Sequence, residues 1–139
     1  KKDKKFIQKL MKQIKDGNKE LFIVNDKDGT PTYTHDFAKT VKELIQKEYW
    51  GLYNCVCGGQ TSRFEVAEEL ISLLGKENDI KISSVNSDYF KDIYYAERPP
   101  SERLLNKKLD LRGVNKMRDW RISLKEYINE YYEGYLNAK

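Results

Sequence analysis

Apolar residues recur at Phe6, Ile7, Leu10, Met11 and Ile14 with Lys and Gln between them, the spacing of a helix that buries one face. Gly17 stands where such a helix would stop. Residues 21–24 form a short apolar run that predicts a strand. A polar turn over residues 25–29 leads from it into Thr30-Pro31-Thr32-Tyr33-Thr34-His35-Asp36-Phe37-Ala38. Pro31 fixes its own φ and drives Thr30 extended, so this corner has little local freedom. Thr34 can cap a following helix and Asp36 places negative charge in its first turn. Phe37, Val41, Leu44 and Ile45 then predict an apolar helix face that ends near Glu48.

Further along, residues 52–57 read as a short strand bounded by Gly58 and Gly59. Ser62 and Glu65 have capping-box spacing, and Val66, Ala67, Leu70, Ile71 and Leu74 continue as a third helical face closed by Gly75. Residues 80–85 alternate like a half-buried strand. A tyrosine-rich loop spans residues 88–96, and Pro99-Pro100 holds Arg98 on a stiff extended segment. Asn106 can cap a short helix through Leu109. Trp120 opens the last helix, with Leu124, Tyr127, Ile128, Tyr131 and Tyr135 on its inner face. Helices and strands alternate, which predicts an α/β domain with a short mixed sheet.

Composition narrows the class. The chain has 139 residues, enough for one core, and its 39% hydrophobic content with ten tyrosines and two tryptophans argues for packing rather than disorder. The net charge of +4 is spread along the chain apart from Lys1, Lys2, Lys4 and Lys5, so it does not call for nucleic acid. No apolar run reaches the roughly 18 residues of a membrane span. Cys55 and Cys57 are too close along a strand to pair well, and with a single histidine they make no metal set by Cys and His count. Reduced core cysteines in a cytoplasmic protein are the expectation. The missing initiator Met and the helix pattern at the very start suggest an excised piece, residues 1–139 being one C-terminal domain.

The search for catalytic chemistry finds little. His35 is the only histidine and sits in a helix's first turn, where a positive charge is unfavourable; a partly exposed neutral imidazole is expected there, ahead of a catalytic base. There is no Walker pattern and no glycine-rich dinucleotide loop after a strand. Tyr49 and Tyr53 have the spacing of a Tyr-x-x-x-Lys pair but lack its lysine.

Several stretches resemble the dTDP-4-dehydrorhamnose reductases. Val24-Asn25-Asp26-Lys27-Asp28-Gly29-Thr30-Pro31-Thr32-Tyr33-Thr34 followed by Asp36-Phe37-Ala38 is similar to that family's signature corner. Gly51-Leu52-Tyr53-Asn54 with Gly58-Gly59-Gln60-Thr61-Ser62, Glu97-Arg98-Pro99-Pro100-Ser101 through Asn106, and Asp119-Trp120-Arg121 with Leu124 follow in the family's order. The resemblance implies the small C-terminal substrate domain of an extended short-chain dehydrogenase. Its dinucleotide-binding domain, with the glycine loop, the Tyr-x-x-x-Lys pair and the NAD(P) site, would lie upstream of Lys1. No cofactor is then expected in this chain and no catalytic residue either. The implied partner is a nucleotide-diphosphate sugar, with Arg98 toward the diphosphate and Thr32 and Tyr33 toward the substrate or bracing the corner. Gly59, Gln60 and Thr61 are secondary candidates. Thr30 and Phe37 stand where the family usually has Ser and Leu, and residues 90–95 depart from its shorter loop, which bears on sugar choice. An epimerase or dehydratase, or a non-catalytic regulatory member of the fold, shares the same domain plan. Apolar faces meant for a missing half would favour self-association, a homo-oligomer included.

Overall fold

A computed structural model describes residues 5–92 and 99–136. In chain order the elements are α1 (Phe6–Lys15), β1 (Glu20–Val24), β2 (Asp28–Gly29), α2 (Thr34–Gln46), β3 (Thr61–Ser62), α3 (Arg63–Leu73), β4 (Lys81–Val85), α4 (Lys107–Leu111) and α5 (Trp120–Tyr132). A 3-10 turn at Ser87–Phe90 follows β4.

Strands β1 and β4 run parallel with Leu21 opposite Ile82 and Ile23 opposite Ser84, while β2 and β3 form a two-residue antiparallel ladder. The mixed character expected from sequence is thus divided between two small sheets. The core gathers Leu10, Met11 and Ile14 of α1, Leu21 and Ile23 of β1, Ala67, Leu70 and Ile71 of α3, and Trp120, Leu124 and Ile128 of α5. Four of the five positions predicted for the α3 face are buried, with Leu74 partly so.

Local signals account for the helix ends. The Ser62 hydroxyl accepts from the Glu65 amide at 3.2 Å and the Glu65 carboxylate accepts from the Ser62 amide at 2.7 Å, a reciprocal capping box. At the far end of α1, the Gly17 amide donates to the Ile14 carbonyl and the Asn18 amide to Gln13, a Schellman closure with Gly17 at φ +90°.

Four expectations are corrected. Thr34 does not cap α2: the helix starts at Thr34 itself, with Tyr33 at the cap position and no side-chain capping bond. The predicted apolar face of α2 does not face the core. Its buried positions are Asp36 and Thr40, whereas Phe37 and Ile45 are 43% and 57% exposed. Residues 52–57, expected to be a strand, join no ladder. Asn106, expected to cap α4 with its side chain, is spent elsewhere: its Oδ1 accepts from the Val56 amide at 3.0 Å and its Nδ2 donates to the Val56 carbonyl at 2.7 Å.

No helix among the described residues is long and apolar enough to cross a membrane.

Candidate functional site

The corner at residues 29–33 is built from three strands of chain. The β2–β3 ladder pairs Gly29 with Thr61 and Asp28 with Ser62. On its other side Asp28 bridges Ser101, with the Asp28 amide donating to the Pro100 carbonyl at 2.8 Å and the Glu102 amide to the Asp28 carbonyl at 2.9 Å. The segment that follows Arg98 is therefore anchored beside the corner, through Pro100, Ser101 and Glu102. Arg98 itself lies outside the described residues, as do residues 93–97 of the tyrosine-rich loop. Below the corner the Cys57 amide donates to the Pro31 carbonyl at 3.2 Å.

Thr32 is exposed. Tyr33 is not: it is 8% exposed, its amide donates to Cys57 Sγ at 3.4 Å, and its hydroxyl donates to Glu130 Oε2 at 3.1 Å. The same hydroxyl lies 3.1 Å from His35 Nδ1. Burial, followed by the Glu130 hydrogen bond, raises its pKa well above the ordinary phenol, so it is a fixed neutral donor. That is the geometry of a brace. The His35 ring in turn bridges two phenols, with Tyr131 Oη 3.1 Å from Nε2.

Of the secondary candidates, Gln60 takes part in a polar cluster on the rim. Arg103 donates to Gln60 Oε1 at 2.6 Å and to Ser101 Oγ at 3.1 Å, with Asp28 at 3.8 Å. Thr61 is 4% exposed and turned inward. Gly59, at φ +88°, lies so close to α5 that a Cβ there would meet Asp119 Oδ2 and Trp120 Cδ1, each at 2.8 Å. Gly59 thus leaves room for the indole, while a Cβ at Gly58 would make only ordinary contacts with Arg118 and Asp119 at 3.8 Å. Among the described residues nothing forms a cradle for a dinucleotide.

Sequence reasoning missed the polar chain beneath the corner. Cys57 Sγ lies 3.8 Å from Ser123 Oγ, which donates to Asp36 Oδ2 at 3.1 Å. Asp36 is fully buried and receives Arg118 Nε at 2.9 Å, while Arg118 also donates to Glu126 at 2.6 Å. Burial pushes the Asp36 carboxyl up, but the hydrogen bonds from Arg118 and Ser123 outweigh it and hold its pKa below 3.8. The chain ties the start of α2 to Arg118, just before α5, across 82 positions and to Ser123 within α5 across 87, which no local pattern announces. A count of Cys and His also overlooked His35, Glu126 and Glu130, whose ligand atoms lie within 4.8 Å of one another. Those donors are chemically suited to a divalent cation, yet Glu126 is already neutralised by Arg118 and Glu130 holds Tyr33.

Two small sheets flanked by helices, with the Thr32-Tyr33 corner beside the Pro99-Pro100 segment, make a small α/β domain. Residues 1–133 match the family described as the RmlD substrate binding domain, and the chain belongs to it. It is similar to a crystallised dTDP-4-dehydrorhamnose reductase from Clostridium acetobutylicum, with a TM-score of 0.81 and 34% identity over 92% of this chain and 44% of that one. The enzyme of the same name from Bacillus anthracis, solved in complex with NADP, gives a TM-score of 0.81 at 26% identity over 94% of this chain and 44% of its own. The spore coat polysaccharide biosynthesis protein SpsK of Bacillus subtilis is 30% identical over 125 residues, 90% of this chain and 42% of that protein. The chain thus spans less than half the length of the relatives it matches.

Proposed function

We propose that this chain is the substrate-gripping part of an NAD(P)H-dependent reductase acting on a dTDP-4-keto-6-deoxy sugar, working with a dinucleotide-binding part in the same polypeptide. The observation that carries this reading is the family match over residues 1–133, joined to structural likeness across 92% of the chain. In this reading Arg98 meets the diphosphate, for which a permanently charged, forked guanidinium is suited. Thr32 contacts the ligand from the exposed side of the corner, and Tyr33 fixes that corner from beneath. Hydride donor and proton donor both belong to the other part. A cytoplasmic setting fits the free thiols of Cys55 and Cys57.

The test uses the intact polypeptide, assayed for NADPH or NADH oxidation with dTDP-4-dehydrorhamnose. Turnover is expected. Arg98→Ala should raise KM by about 1–3 kcal/mol of lost charge-assisted binding, with a smaller effect on kcat. An unchanged KM would remove Arg98 from the site. Interconversion of nucleotide sugars without net coenzyme oxidation would replace the reductase reading by an epimerase, and coenzyme or partner binding without any turnover by a regulatory protein.

A further inference from the structure

Three segments lie side by side at the corner, with Asp28 in the middle. Asp28 pairs with Ser62 on one side and bridges Ser101 on the other. The segment through Ser62 is anchored deeply at its start. The Gly58 amide donates to the Arg118 carbonyl at 2.9 Å, the Trp120 amide donates to the Gly58 carbonyl at 3.0 Å, and Thr61 is buried. The segment through Ser101 is the outer one. It meets Asp28 through main-chain bonds, and Pro100, Ser101 and Glu102 are all exposed.

One side chain links the outer segment to the inner one across Asp28. The Arg103 guanidinium donates from Nε to Ser101 Oγ at 3.1 Å and from Nη1 to Gln60 Oε1 at 2.6 Å, with Asp28 Oδ2 at 3.8 Å. The Arg103 amide donates to the same Ser101 hydroxyl at 3.4 Å, so that hydroxyl is held twice. A planar fork suits this work, because it directs separate N–H groups at two acceptors at once. The tie contributes little to global stability, since the Arg103 and Asp28 side chains are 43% and 46% exposed. What it does fix is the place of an exposed rim segment against a turn seated on the start of α5.

We propose that Arg103 is a positioning residue for the nucleotide-sugar site. It holds residues 100–102 against Gln60 and the corner, so that the rim near Thr32 is set before the ligand arrives and less ordering is left to binding. Gln60 is the post to which Arg103 is tied. This rests on the reading of the corner as the place where a nucleotide sugar is gripped.

The test uses the intact polypeptide with Arg103→Met, Gln60→Met and the two combined. The amides of Asp28 and Glu102 carry the bonds between the outer and middle segments. In hydrogen exchange they should open about tenfold faster in each variant, while the α3 amides stay slow and report an intact fold. In assays with NADPH and dTDP-4-dehydrorhamnose, the KM for the sugar nucleotide should rise about tenfold, with kcat and the KM for NADPH within about twofold of the parent. The combined variant should match either single one, because both cut the same tie. Additive rises in KM overturn the proposal, since the two side chains would then meet the ligand separately. Unchanged exchange at Asp28 and Glu102 overturns it too, as does an unchanged KM in either single variant. Those failures leave the reductase reading standing, whereas no turnover by the unsubstituted protein removes that reading and the positioning role with it.

Discussion

Gly59 stands at φ +88° with the Trp120 indole and the Asp119 carboxylate where a side chain would begin. Gly59→Ala combines left-handed strain with overpacking against a core tryptophan, and about 2–4 kcal/mol of stability should be lost in urea titration. Asp36 is the opposite case, a buried charge kept in place by its partners. Asp36→Asn should cost about 2–3 kcal/mol at pH 7, below the figure for a fully buried pair, because Arg118 is a third exposed and retains Glu126. Its pH dependence has a definite sign. The folded pKa lies below the ordinary 3.8, so the unfolded chain binds the proton first. The stabilisation is complete above the ordinary carboxylate range and drains away as pH falls through 3.8 and below. The gap between the native chain and Asp36→Asn should therefore narrow in titrations at acid pH; a constant gap would mean that the charge is not what matters.

Among the elements, α2 is where pattern and packing disagree. Its apolar spacing was legible in Phe37, Val41 and Ile45, but spacing reports which residues share a face and not what that face meets. The buried ion pair at Asp36 turned the helix the other way. Its end is also unusual. The Tyr49 amide donates to the Leu44 carbonyl and the Glu48 amide to Ile45, a Schellman closure in which Glu48 takes φ +54°, a place that glycine fills in α1. Glu48→Gly should therefore raise stability by about 0.5–1 kcal/mol, measured as a shift in Tm. The capping box of α3 and the glycine stop of α1, by contrast, were readable outright, because each is made by residues within a few positions of one another.

For the molecule as a whole, the proposed division of labour predicts what this chain does alone. The purified 139-residue chain should oxidise no NADPH with any nucleotide sugar, and turnover from it would contradict the division of labour proposed here. The exposed apolar residues of α2, Phe37 and Ile45, also make concentration-dependent association of the separated chain an expected outcome, visible by light scattering.

The sequence by itself determined the helices, the two main strands, the stiff corner and the family, since these follow from periodicity, capping chemistry and motif order along the chain. Only the tertiary structure decided that the Tyr33 hydroxyl lies on Glu130, that Gly59 lies against an indole, and that the apolar residues Phe37 and Ile45 of α2 are turned outward. Each of those depends on a partner dozens of residues away, and a one-dimensional pattern holds no record of which distant side chain will arrive.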